Sequence, residues 1–146
     1  KKILKTCDTC RLAFNTGGAP YIVPLNFGYS FEQDELILYF HCANEGQKLS
    51  LLAKNDQVGF EMDCDHALIG GSAGCHYTFN YSSIIGFGNL EIIQDTEERK
   101  QGLMRLMAHY TDKEDWIFDK KVLAMTTILK LKAAHFTGKA NKRENV

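Results

Sequence analysis

Apolar and polar residues alternate along much of this chain. Between Gln57 and Asp63 the apolar positions are Val58, Phe60 and Met62, a two-residue period that predicts a half-buried strand. The same period predicts strands over Arg11–Thr16, where Leu12 and Phe14 share a face, and over Glu35–His41. It recurs in Thr126–Phe136, where Leu129 and Leu131 oppose Lys130 and Lys132. Pro20–Tyr29 reads as one strand with Tyr21, Val23, Leu25, Phe27 and Tyr29 inward, joined to the first by the turn Gly17-Gly18-Ala19-Pro20. Ser83–Gln94 is a longer strand interrupted by Gly86 and Gly88, which predicts a bulge or sharp bend.

The period changes after Asp95. Leu103, Leu106, Met107 and Tyr110 recur at i, i+3, i+4 and i+7, the stripe of an amphipathic helix. Asp95 is its cap, Glu98 stands in the reciprocal position of a capping box, and His109 is expected on the exposed side. A short helix is expected over Gly46–Lys54. Lys113–Ala124 reads as irregular or partly helical, residues 64–80 follow no clear period, and the polar tail from Gly138 reads as loose. About six strands separated by turns rather than helices predict a mainly β fold: an antiparallel barrel with flanking helices, in one domain over residues 1–146.

Composition narrows the function. With 146 residues and 45% apolar content the chain can bury a core without metal or disulfide staples. A net charge of -1 gives no field favouring nucleic acid or an anionic membrane. No apolar run approaches the roughly 18 residues of a membrane span. There is no signal-peptide pattern at Lys1–Lys5, which reads as the end of a helix and implies a preceding segment. Five cysteines, an odd and sparse set, favour reduced thiols and a cytoplasmic location. Cys7 and Cys10 form a C-x-x-C, but no second pair follows. The spacing of Cys64, His66, Cys75 and His76 matches no zinc pattern, so no metal is expected.

Two stretches carry candidate chemistry. In "YFHCANEGQKLSLL" Asn44 is a good N-cap with Gln47 three residues on, so a helix is expected from Glu45. Free helix-start amides, the bare Gly46 and the charge of Lys48 together suit a phosphate or carboxylate. The plain alternative is a helix start with a solvated lysine. In "PYIVPLNFGY" the even positions Pro24, Asn26 and Gly28 leave a face with little bulk, against which a flat aromatic ligand could lie. A solvent-exposed edge strand suits Pro24 equally.

"PYIVPLNFGY", "LYFHCANEGQKLSLL", "YTFNYSSIIGFGNLEII" and "TGK", in that order, resemble the pyridoxamine 5'-phosphate oxidase-like flavoproteins, nearest to their nitroimidazole-resistance (Nim) branch. The resemblance runs from about Cys10 to Lys139. It implies an FMN-binding split barrel of antiparallel Greek-key type, a homodimer with FMN between its subunits, and FAD as the alternative cofactor. By the same resemblance Pro24, Leu25, Asn26 and Phe27 run beside the isoalloxazine ring. His41 and Cys42 lie near the ribityl and phosphate region, and Gly46 and Lys48 form the phosphate turn. Tyr81, Ser82, Ser83 and Ile84 approach the flavin from the other subunit, and His76 and Tyr77 line the substrate side.

Many relatives carry an arginine or another larger residue where this chain has Ser82, and the basic C-terminal pattern of the true pyridoxamine phosphate oxidases is missing. Oxidation of vitamin B6 is therefore not expected. The implied function is an oxidoreductase reducing a small acceptor such as a nitroimidazole, with His76 as the candidate proton donor, since imidazole titrates near neutrality. The alternative is a flavin-binding or sensor module without turnover, for which Trp116 or Phe118 could supply a lid over the ring.

Overall fold

The structure, a computed structural model, describes residues 1–143. Its strands are β1 (Cys10–Phe14), β2 (Tyr21–Leu25), β3 (Gly28–Glu32), β4 (Glu35–Ala43), β5 (Gln57–Ile69), β6 (Thr78–Ile92) and β7 (Thr126–Asn141). The helices are α1 (Lys2–Thr6), α2 (Gln47–Leu52), α3 (Thr96–Tyr110) and α4 (Lys120–Ala124), with a 3-10 turn at Gly74–His76. All pairings are antiparallel, in the order β2-β1-β5-β6-β7-β4-β3.

The expected single strand over 20–29 is two strands. β2 ends at Leu25 and β3 begins at Gly28, and they occupy opposite edges of the sheet. Three Cα steps of about 3.8 Å cannot span a flat seven-stranded sheet. The sheet must therefore roll until its edges meet, and Asn26–Phe27 is the link across the split. A strict two-residue period runs through Tyr21–Tyr29, so alternation alone could not reveal the break.

Rolling turns one face of every strand inward. β4 alternates, with Leu36, Leu38, Phe40 and Cys42 buried and Ile37, Tyr39 and His41 outward. Leu12 and Phe14 of β1 and Val58, Phe60 and Met62 of β5 join the same core. Gly86 and Gly88 behave as expected. The register with β7 shifts between Phe87 and Gly88. A Cβ at Gly86 would meet the Phe60 ring at 2.5 Å and the His135 carbonyl oxygen at 2.6 Å.

Helix α3 covers the outer face of β3 and β4. Asp95 caps it by accepting the Glu98 amide at 2.8 Å, but the Glu98 carboxylate bonds Lys130 Nζ at 2.7 Å instead of completing a capping box. His109 is not on the exposed side. Its Nε2 lies 2.7 Å from the Cys7 carbonyl, and its ring centroid is 4.5 Å from that of Phe27. The last turn of α3 thus grips the segment between α1 and β1.

Two further expectations are corrected. Most of residues 64–80, without a clear period in sequence, extends β5 and β6 as a hairpin arm, beyond a bulge between Cys64 and Ala67. The tail is not loose at Gly138, because β7 continues beside β6 as far as Asn141, opposite Tyr81. Residues 144–146 lie outside the described residues.

Candidate functional site

Strand alternation on β4 puts His41 on the outer face, and its exposed ring makes no hydrogen bond among the described residues. It lines two cavities. One, of about 260 Å³, is bounded by Thr9, Pro24, Leu25 and Asn26. The other, of about 410 Å³, lies between α3 and the segment leading into β7, with Leu103, Met107, Phe118 and Leu123 among its walls. The fold thus brings the end of β2 beside the C-terminal part of β4. Asn26 holds one weak bond at 3.4 Å to the Asp8 carbonyl, which leaves its amide oxygen available.

The turn after β4 is built differently from expectation. The helix begins at Gln47, with Gly46 as its N-cap and no side chain capping it. Gly46 has φ +134°, a conformation that strains any residue with a Cβ. The Gln47 and Lys48 amides have no intrahelical partner, whereas those of Leu49 and Ser50 bond the Gly46 carbonyl at 3.1 and 3.2 Å. Lys48 is half-buried and has no acidic partner among the described residues. Burial raises the Cys42 thiol above its ordinary range, and the nearby Lys48 charge partly offsets this. The Cys42 side chain points into the core, on the opposite face of β4 from His41, and Lys48 lines neither His41 cavity.

Asn44 caps nothing on α2. Its amide donates to the Ala124 carbonyl at 2.9 Å, and its oxygen accepts the Thr127 hydroxyl at 2.8 Å. Arg99 of α3 donates to the carbonyls of Leu123 and Thr126 at 2.6 and 2.7 Å. Together they pin the wall of the larger cavity. Neither role was visible in sequence, because each joins residues more than twenty positions apart.

Other candidates have separate surroundings. The Phe27 ring is buried, and its amide donates to the Tyr110 hydroxyl at 3.0 Å. Gly28 is covered by α3 itself, since a Cβ there would fall 2.3 Å from the Leu106 nitrogen. The thin face expected for a flat ligand thus ends at Asn26. On β6, Ser82 is buried and donates to Asp65 at 2.9 Å, Ile84 belongs to the core, and Tyr81 lies under Lys139. None of Tyr81, Ser82, Ser83 and Ile84 lines either His41 cavity. His76 sits exposed at the tip of the hairpin arm, 3.1 Å from the Ser72 hydroxyl, and also lines neither. Trp116 faces a different cavity beside Met104 and Arg105, whereas Phe118 faces the His41 cavity.

The His41 cavities therefore join a thin strand face and an unpartnered imidazole, and the turn that follows β4 carries a lysine and free helix-start amides. Such donors can hold a flat ligand with an anionic tail.

Among solved structures, the chain is similar to a candidate 5-nitroimidazole antibiotic resistance protein from Bacteroides thetaiotaomicron, with TM-score 0.82 and 28% identity over 97% of this chain and 84% of that one. It shares its fold with a FAD- and heme-binding protein from Mycobacterium smegmatis, with TM-score 0.82, 21% identity and coverage of 99% and 70%. It also shares its fold with a FAD-binding protein from the same organism, with TM-score 0.62, 18% identity and coverage of 98% and 93%. No curated protein matches the sequence. The family model for pyridoxamine 5'-phosphate oxidase matches residues 1–140, which is nearly the whole rolled sheet just described. This chain belongs to the pyridoxamine 5'-phosphate oxidase family.

Proposed function

We propose that the protein is an FMN-dependent oxidoreductase that reduces a small acceptor of the nitroaromatic kind. The observation that carries this reading is the exposed His41 ring shared by two cavities, with Pro24 and Asn26 on one side, on a strand that runs on into the turn of Gly46 and Lys48. The two FAD-binding proteins of the same fold support a flavin, and the similarity to the Bacteroides protein supports a nitroaromatic acceptor. FMN is favoured over FAD because the anion-binding donors, the Lys48 ammonium and the first amides of α2, gather at one short turn that suits a single phosphate.

When bound, the flavin supplies the electron-transfer chemistry, and the protein supplies orientation and electrostatics. Lys48 and the α2 amides would hold the phosphate as charge-assisted partners. Asn26 and the β2 backbone would bond the polar edge of the ring system. His41, which faces both cavities, is better placed than His76 to deliver a proton to a bound acceptor. The open volume beside His41 favours turnover over sequestration, since an acceptor has room there.

The reading includes a homodimer. Phe79, Ile85 and Phe87 are more than half exposed along the outer face of β6, and Leu68 and Tyr77 extend this apolar surface onto the hairpin arm. A strip of this kind marks a protein contact. Tyr81 and Ser83 share that face, so a second chain packed on it would carry them to a groove that one chain leaves half-built.

The absorption spectrum of freshly purified protein, with release and mass identification of the ligand, tests the proposal. A yellow protein with about one flavin per chain is expected. A colourless protein that takes up no added FMN would overturn it.

A further inference from the structure

We infer that the cavity between α3 and residues 117–123 is a binding site for a planar aromatic molecule of one or two fused rings that carries no negative charge. At about 410 Å³ it has the size of a small-molecule site. Leu103, Met107, Phe118 and Leu123 give it apolar walls, and an aromatic ring packs well against phenylalanine and the methionine sulfur.

Its polar groups select against negative charge. No lysine or arginine lines the cavity and Asp119 does, so an anion is repelled. Asp119 Oδ1 accepts both the Lys121 and Val122 amides, at 2.7 and 3.2 Å, and Oδ2 stays open among the described residues. The Thr126 hydroxyl is committed to the Val122 carbonyl at 2.8 Å. That leaves the His41 ring and Asp119 Oδ2 as the directional partners, the carboxylate oxygen for an N–H of the ligand.

Hydrogen bonds hold the space open. Arg99 and Asn44 fix the carbonyls of Leu123, Thr126 and Ala124, so the wall cannot simply collapse onto α3. Ile117 at the rim is 97% exposed, and a ring entering the cavity would cover it. The absence of cations among the lining residues also separates this space from the phosphate-binding turn at Lys48. Where flavin is present, the cavity is the place of the aromatic acceptor. That role rests on the proposed function, whereas aromatic binding as such does not.

The test is titration of the FMN-saturated full chain with 5-fluoroindole, followed by fluorine NMR. The probe cannot be turned over, so binding is read without activity. Saturable binding is expected. Filling the cavity with Leu103→Trp should weaken it about tenfold or more while FMN affinity stays within about twofold. Leu123→Ala, which enlarges the cavity, provides a second variant and should also change the probe's affinity. Displacement of FMN by the probe, or affinity unchanged in both variants, overturns the inference. If the protein takes up no flavin, the flavin reading alone fails, and the same titration on flavin-free chain still decides whether the cavity binds the ring.

Discussion

Gly28 and Leu106 are in near-contact through their backbones: a methyl group on Gly28 would stand 2.3 Å from the Leu106 nitrogen. Helix α3 is seated on a strand position where only glycine fits, and this seating forms one wall of the His41 cavity. Gly28→Ala should therefore lower stability by about 1–3 kcal/mol through overpacking. Urea denaturation would show a lower midpoint with little change in slope. An unchanged midpoint would mean that α3 does not rest on this strand.

Thiol chemistry should separate the five cysteines. Cys75 is exposed, whereas Cys7, Cys10, Cys42 and Cys64 are buried. Alkylation of the native protein at mildly alkaline pH should label Cys75 first, and mass spectrometry should find the other four modified only after unfolding. Burial pushes the Cys10 thiol from 9.0 up to about 12. Above pH 9 the unfolded chain loses this proton while the folded chain keeps it. Stability is therefore whole below pH 9 and declines as the pH rises toward 12. Cys10→Ala should flatten that decline, whatever its effect at neutral pH.

Lys48→Ala should weaken FMN about tenfold, a typical effect of losing one charge-assisted contact, and leave riboflavin nearly unaffected. Equal losses for the two ligands, measured by flavin fluorescence, would take the phosphate away from Lys48.

Placing charge in the apolar strip of β6 should split the proposed dimer. Phe87→Glu is expected to sediment as a monomer and to retain little flavin, because Tyr81 and Ser83 would no longer meet a partner's groove. A monomer that still held FMN tightly would contradict the shared site.

The two histidines can be told apart by kinetics. With a nitroaromatic acceptor, His41→Asn should lower turnover about a hundredfold, the usual scale of a lost general acid, with flavin still bound. His76→Asn should have little effect. The opposite ranking would return the role to the hairpin tip.

The strands themselves were legible in the chain. Val58, Phe60 and Met62 alternate because one side of a strand must leave water, and that constraint acts on neighbours two residues apart. Asp95 and the glycine pair at 86 and 88 were readable for the same reason, since caps and bulges are local. The turn at Gly46 and Lys48 was recognisable as a candidate, but its cap was misassigned: Asn44 is drawn away by Ala124 and Thr127, and no local rule foresees partners eighty residues distant.

What only the folded chain decided is where these pieces meet. Alternation through Tyr21–Tyr29 says nothing of the break at Asn26–Phe27, because the link keeps the two-residue period while the chain crosses from one sheet edge to the other. Rolling the sheet across that link brings Pro24 and Asn26 beside His41, and seating α3 on Gly28 adds the apolar wall of Leu103 and Met107. Side-chain periodicity records which face leaves water, whereas the meeting of distant faces is set by closure of the whole barrel.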